Sequence, residues 1–263
     1  KGQIVKGDIK CNGAILSVNP DGSDIQLEAW GLRNPFGLAF NGEGRLFAID
    51  NGADERGSRP IANDNDKFYE IKLNKTATFH GWPDYFGNAE PVTDPKFKSP
   101  TGNQPLQFLI MNHPPVEKPL FLIDKYAGAT QLDFSTNTNF GFEGMAFAGE
   151  IGLMAPITHP LTSENIIDQL LPSLKDQQEI VGQKIIVLDP IKGNYSNFIS
   201  LKQPDPNFKP VGIEFDDREN GALYIVSIGK IELRNELPNG TPLPLPLQWA
   251  YPNTGVIWKA TAE

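Results

Sequence analysis

The feature that most constrains the fold of this chain is a hairpin unit that occurs more than once. Pro35, Gly37, Phe40, Gly44, Leu46, Phe47 and Gly52 recur in the same order as Pro210, Gly212, Phe215, Gly221, Leu223, Tyr224 and Gly229, and a worn copy runs through residues 130–148. Within the first unit, apolar residues alternate at Phe36, Leu38 and Phe40 and return at Leu46, Phe47 and Ile49, on either side of Asn41, Gly42, Glu43 and Gly44. That pattern predicts two short antiparallel strands joined by a glycine-rich turn. A single hairpin cannot bury its apolar face, so repeated hairpin units imply four-stranded blades set around an axis, an all-β propeller. Further strands are expected over residues 14–18, 67–73, 184–189, 197–201 and 255–259. One helix is expected over residues 163–174, with Ser163 as N-cap and Ile166, Ile167, Leu170 and Leu171 at helical spacing. Three units and the stray strands give three to four blades, whereas closed propellers typically have four to eight. Residues 1–263 therefore read as a single propeller domain incomplete at its N-terminal side, the remaining blades coming from another segment or chain.

A net charge of −9 argues against nucleic acid or an anionic membrane as partner, and no apolar run is long enough for a membrane span. Cys11 is the only cysteine, which excludes an internal disulfide, and residues 1–8 contain no apolar core of a signal peptide. A hairpin brings its ends together, so Arg33 and the turn formed by Asn51, Gly52, Ala53 and Asp54 are expected at one rim. Two readings of Arg33 stand side by side: an ion pair with Asp50 or Asp54, or an anion-binding role. Arg56, Arg59, Asp64 and Asp66 read as mutually paired charges on a solvated loop. His80, His113 and His159 lack metal-ligand spacing and read as loop or packing residues, as Trp82 and Trp258 read as packing residues.

Four ordered motifs carry a resemblance: Cys11, Asn12 and Gly13 before a strand; Trp30, Gly31, Leu32, Arg33, Asn34 and Pro35; Asp50 through Asp54; and Gly81, Trp82 and Pro83. Together they resemble the glucose/sorbosone dehydrogenase family. The resemblance implies a six-bladed propeller, extracellular or periplasmic, that oxidises an aldose with pyrroloquinoline quinone (PQQ) held over Ca2+. It further implies that Arg33 and Asn51 contact the quinone, that Tyr126 stands near an aromatic cofactor neighbour, and that the carbonyls of Gly52 and Ala53 ligate calcium. A guanidinium suits a cofactor bearing several carboxylates, and carbonyl oxygens suit a hard cation. The family's catalytic histidine belongs to a blade outside this chain, and Lys67 stands where an acidic ligand of a second calcium is expected. Two other functions remain open: a non-catalytic propeller that binds a carbohydrate or protein, and a calcium-dependent lactonase-type hydrolase.

Overall fold

The computed structural model describes residues 12–55, 59–73, 76–99, 106–152, 181–202, 205, 207–216, 218, 221–237 and 239–261. The helix expected over residues 163–174, with Cys11 and His159, lies outside them. Strands come in chain order as β1 (Ala14–Ser17), β2 (Gln26–Trp30), β3 (Pro35–Phe40), β4 (Leu46–Asp50) and β5 (Asn65–Ile71). Three two-residue strands follow, β6 (Thr78–Phe79), β7 (Tyr85–Phe86) and β8 (Glu90–Pro91), then β9 (Phe121–Lys125), β10 (Ala129–Phe134) and β11 (Ala146–Glu150). The series closes with β12 (Lys184–Asp189), β13 (Asn194–Ser200), β14 (Pro210–Asp216), β15 (Ala222–Ser227), β16 (Ile231–Glu236), β17 (Pro242–Ala250) and β18 (Val256–Ala260). Among the described residues, no helix is long and apolar enough to cross a membrane.

The repeat seen in the sequence is a repeat in space. Two sheets are four-stranded and antiparallel, in the orders β3-β4-β5-β9 and β10-β11-β12-β13. A third has the order β14-β15-β18, with the β16-β17 hairpin inserted, and a fourth joins β1, β2 and β6. The register of the first and last hairpins matches: Phe40 faces Leu46 as Phe215 faces Leu223, and each pair of strands shifts register just after its proline. These blades form an arc of a β-propeller, in agreement with the three to four blades read from the sequence.

Packing is carried between consecutive sheets. Phe47, Ile49 and Phe68 of one sheet meet Leu132, Phe134, Ala146 and Ala148 of the next in one core. Phe147, Ile185 and Val187 meet Ile213, Phe215 and Leu223 in a second. Ile15 and Ala29 meet Leu46, Ala48, Tyr69 and Ile71 in a third. Each large apolar side chain so buried contributes about 1.5–3 kcal/mol. Strand β10 lies against β3, and β14 against β10, so these three form the inner row. Gly37 makes the first approach possible, because a Cβ there would stand 2.6 Å from the Thr130 carbonyl oxygen. Three expectations need correction. Strand β5 begins at Asn65 and stops at Ile71, leaving Leu73 exposed beyond the core. Trp258 is 47% exposed, on a sheet that no further blade covers among the described residues. Asp64 and Asp66 are not solvated; both are buried.

Candidate functional site

The rim predicted from the hairpin ends is present. Asn51 donates its backbone N–H to the Asn34 carbonyl at 3.1 Å, and the Asn34 side-chain amide reaches Asn51 Oδ1 at 3.0 Å. Of the two ion-pair partners considered for Arg33, Asp54 is the one used, and Asp50 takes only its backbone N–H. That N–H donates to Asp50 Oδ2 at 3.1 Å, and the Arg33 Nη2 pairs with Asp54 Oδ2 at 2.8 Å. The ion pair is about a quarter exposed on each side, a setting in which such pairs contribute about 0–1 kcal/mol.

Behind the rim, three buried aspartates build the turn. Asp50 accepts the amides of Arg33 and Asn34, Asp66 accepts those of Gly52 and Ala129, and Asp64 accepts those of Ala53 and Gly87. The Lys67 ammonium lies 2.8 Å from Asp64 Oδ1 and 2.8 Å from the Asn65 carbonyl oxygen, and it is buried with them. Burial pushes the Asp50 carboxyl up to about 6, against the opposing pull of Lys67 and the two amides. Burial likewise raises Asp66 to about 6, against the amides of Ala129 and Gly52.

This arrangement aims the turn. Among the described residues the one cis peptide is Trp82-Pro83, so the peptides entering Gly52 and Ala53 are trans and each carbonyl runs opposite to its own N–H. Because those N–H groups point at Asp66 and Asp64 (2.8 and 2.7 Å), the carbonyls of Asn51 and Gly52 point away from the buried carboxylates. A charged acceptor on the N–H side also polarises the peptide and enriches its oxygen. Gly52 is required here, since a Cβ would stand 2.8 Å from the carbonyl oxygens of both Asp64 and Asn65.

Beside the turn lies a cavity of about 270 Å³ lined by Arg33, Ala53, Asp54, Arg59, Trp82 and Phe86 among others. Arg59 is fixed there by buried Asp84 at 2.8 Å and by the Pro83 carbonyl at 3.2 Å. Trp82 therefore forms part of a cavity wall as well as packing.

The remaining predicted residues are distributed differently. Asn51 braces two blades, donating to the Ala129 carbonyl at 2.6 Å. Tyr126 does not line the cavity: its buried hydroxyl donates to Glu55 Oε1 at 2.6 Å and accepts the Asn63 amide at 3.2 Å. His80 bonds Thr78 Oγ1 at 3.0 Å and is driven down to about 4 by burial, so it is neutral at pH 7. His113 bonds Tyr85 and the Pro114 carbonyl, and neither histidine lines the cavity. The residues missed by sequence reasoning are Asp64, Asp66, Arg59 and Asp84. A signal was there for the first two: they flank Asn65 at the mouth of a strand that must pair with the one ending at Asp50, which puts them behind the Gly52 turn.

No family model and no curated protein matches the chain. Among solved structures, it is similar to the PQQ-bound aldose sugar dehydrogenase of Streptomyces coelicolor, at 15% identity and a TM-score of 0.46, over 81% of this chain and 45% of that one. It is similar to the holo PQQ domain of pyranose dehydrogenase from Coprinopsis cinerea, at 16% identity and a TM-score of 0.46, over 77% of this chain and 53% of that one. The apo soluble aldose sugar dehydrogenase of Escherichia coli matches at 15% identity and a TM-score of 0.46, over 82% of this chain and 51% of that one. The chain thus spans about half the length of these structures.

Proposed function

We propose that the rim at Arg33 and Gly52 is part of the cofactor site of a quinone-dependent sugar dehydrogenase of the extracellular or periplasmic space. The observation that carries this reading is the pair of carbonyls of Asn51 and Gly52, turned away from buried Asp66 and Asp64 respectively, next to a cavity lined by Arg33. The residues present fit the two groups such an enzyme uses. A planar aromatic polycarboxylate is matched by a guanidinium that offers paired N–H donors and by the apolar wall of Trp82 and Phe86. A hard cation is matched by a polarised carbonyl oxygen. Among the described residues no group of three acidic, histidine or cysteine side chains stands together to hold a metal, and the donors this rim offers are carbonyl oxygens.

In this reading Arg33 exchanges Asp54 for a cofactor carboxylate, and Gly52 with Ala53 holds Ca2+. When bound, PQQ supplies the acceptor for the hydride leaving the sugar. The chain's own contributions are to bind and to orient. Arg59, held by Asp84, adds positive potential at the cavity, Trp82 and Phe86 exclude water, and Asn51 fixes the neighbouring blade against the rim. The proton acceptor is assigned to none of the described residues of the cavity. The test is a titration with PQQ and Ca2+, followed by cofactor absorbance and then by addition of aldoses. Saturable, calcium-dependent binding that Arg33→Ala abolishes supports the site. Binding that survives Arg33→Ala in a folded protein refutes it.

A further inference from the structure

Asn-Gly occurs five times in the chain, at residues 12–13, 41–42, 51–52, 220–221 and 239–240. In sequence the five are equivalent. With no Cβ on the following residue, its backbone nitrogen can reach the asparagine Cγ and displace ammonia, closing a succinimide ring. The fold makes them unequal, because the reaction needs a nitrogen that no acceptor holds, a side-chain amide free to leave, and donors placed where the oxyanion develops.

Asn41 and Gly42 open the turn between β3 and β4. Asn41 Oδ1 accepts the backbone N–H groups of Glu43 at 3.1 Å and Arg45 at 2.9 Å. Those donors lie on the oxygen that carries the negative charge when Cγ becomes tetrahedral, the arrangement of an oxyanion hole. The Asn41 backbone is pinned as well, its N–H donating to the Arg45 carbonyl at 2.9 Å and its carbonyl accepting the Gly44 amide at 2.9 Å. Among the described residues, neither the Gly42 N–H nor the Asn41 side-chain nitrogen has a hydrogen-bond partner. Gly42 is exposed, and a Cβ on it would meet nothing within 4 Å, so water and hydroxide reach the nucleophile.

Asn51 and Gly52 have every one of these atoms held. The Gly52 N–H donates to Asp66 Oδ1 at 2.8 Å, which opposes loss of its proton. Asn51 Nδ2 donates to the Ala129 carbonyl at 2.6 Å and to Asp66 Oδ2 at 3.4 Å, and Asn51 Oδ1 accepts the Asn34 side-chain amide. Asn239 stands between the two cases: its Oδ1 accepts the Thr241 amide at 3.1 Å, but the Gly240 N–H is given to the Leu237 carbonyl at 2.8 Å. Asn220 lies outside the described residues.

We propose that Asn41 is a self-modification site of the native chain, where ring closure onto Gly42 runs faster than in the unfolded chain, while Asp66 protects the same sequence at Asn51. The Gly42 N–H gives its proton to hydroxide, its nitrogen bonds Asn41 Cγ, and the Glu43 and Arg45 amides hold the oxyanion. The Cγ–Nδ2 bond then breaks as the leaving nitrogen takes a proton from water and departs as ammonia. Water opens the succinimide at either carbonyl, leaving aspartate or isoaspartate. The product places a carboxylate, and in isoaspartate one extra main-chain carbon, in the turn that joins β3 to β4. At Asn51 the same change would set a carboxylate against Asp66 and the Ala129 carbonyl, so protection there keeps the rim intact.

The test is peptide mapping by mass spectrometry of the 263-residue chain kept in mildly alkaline buffer, native and in guanidinium chloride. In the native chain, deamidation at Asn41 is expected to run at least roughly tenfold faster than at Asn239 or Asn51. Asn41 is expected to convert faster native than denatured, and Asn51 slower. Gly42→Ala, which brings neither a clash nor a left-handed backbone, is expected to suppress conversion at Asn41 and leave the urea midpoint unchanged. Native conversion at Asn41 no faster than in denaturant overturns the proposal. So does conversion at Asn51 that keeps pace with Asn41, or a Gly42→Ala chain that converts at the parent's rate.

Discussion

Asp64→Asn is the sharpest probe of how the rim is built. Asp64 is buried and takes the amides of Ala53 at 2.7 Å and Gly87 at 2.8 Å together with the ammonium of Lys67 at 2.8 Å. An asparagine has the same shape but one acceptor fewer and no charge, so an amide donor faces either Lys67 or a backbone N–H. Breaking one side of a buried ion pair costs about 3–5 kcal/mol, because the other charge stays buried without its partner. We expect a loss of that size, against total stabilities of about 5–15 kcal/mol for domains in general. Urea unfolding followed by circular dichroism reads it as a lowered midpoint at unchanged slope. A control separates the lost charge from a general packing defect. In the Asp64→Asn background, Lys67→Met removes the orphaned ammonium and is expected to restore at least half of the loss, a coupling that a double-mutant cycle measures. A loss under about 1 kcal/mol, or no recovery in the double variant, refutes the view that this pair holds the turn.

Other outcomes follow from the same geometry. Gly37→Ala places a Cβ 2.6 Å from the Thr130 carbonyl oxygen and is expected to cost about 1–3 kcal/mol in urea unfolding. Phe147→Ala empties the centre of the core shared by Phe140, Phe198 and Phe215 and is expected to cost about 3–5 kcal/mol by the same assay. Burial raises the Glu150 carboxyl to about 8, with Lys184, 3.4 Å from one of its oxygens, opposing. A folded-state value above the unfolded one means that its stabilising contribution is complete below about 4.5 and is lost as pH rises through about 8. Glu150→Gln is therefore expected to match the parent near pH 5 and to exceed its melting temperature near pH 8.5, and equal temperatures at both pH values refute this.

What the sequence made legible was what periodicity encodes. Alternation in β3, and the copy in β14 and β15, marked the hairpins and the propeller architecture, because successive side chains of a strand alternate between its faces, although in β3 the apolar face of Phe36, Leu38 and Phe40 is the exposed one and β4 is buried on both faces. The rim position of Arg33 was legible too, since hairpin ends must meet. Asp64 and Asp66 were misread as solvated because composition alone makes a carboxylate a surface group. Only the pairing of β4 with β5 turns those side chains inward, toward amides that the turn at Gly52 leaves unsatisfied. Tyr126 is absent from the lining of the cavity for a related reason. Its hydroxyl has a buried carboxylate to satisfy at Glu55, a partner 71 residues away that no local pattern announces.

The repeat also shows where the blades part company, and this bears on which rim position was turned to use. Asp50 is registered opposite Lys67, Glu150 opposite Lys184 and Ser227 opposite Val256, so one ladder position ends the second strand of each blade. At the first, the carboxylate is spent on the amides of Arg33 and Asn34 and fixes the segment that carries the guanidinium. At the third, the Ser227 hydroxyl accepts the Lys209 amide and fixes a segment that carries a buried ammonium, 3.5 Å from the Ile151 carbonyl oxygen. At the second, the Glu150 carboxylate takes no backbone amide among the described residues, and Lys184 stands 3.4 Å from one of its oxygens while bonding Asp124 at 2.7 Å. A single framework thus holds three chemistries at equivalent points. At the first, the Arg33 guanidinium lines the cavity beside the Gly52 turn, which is why the anion and cation contacts are proposed for that blade.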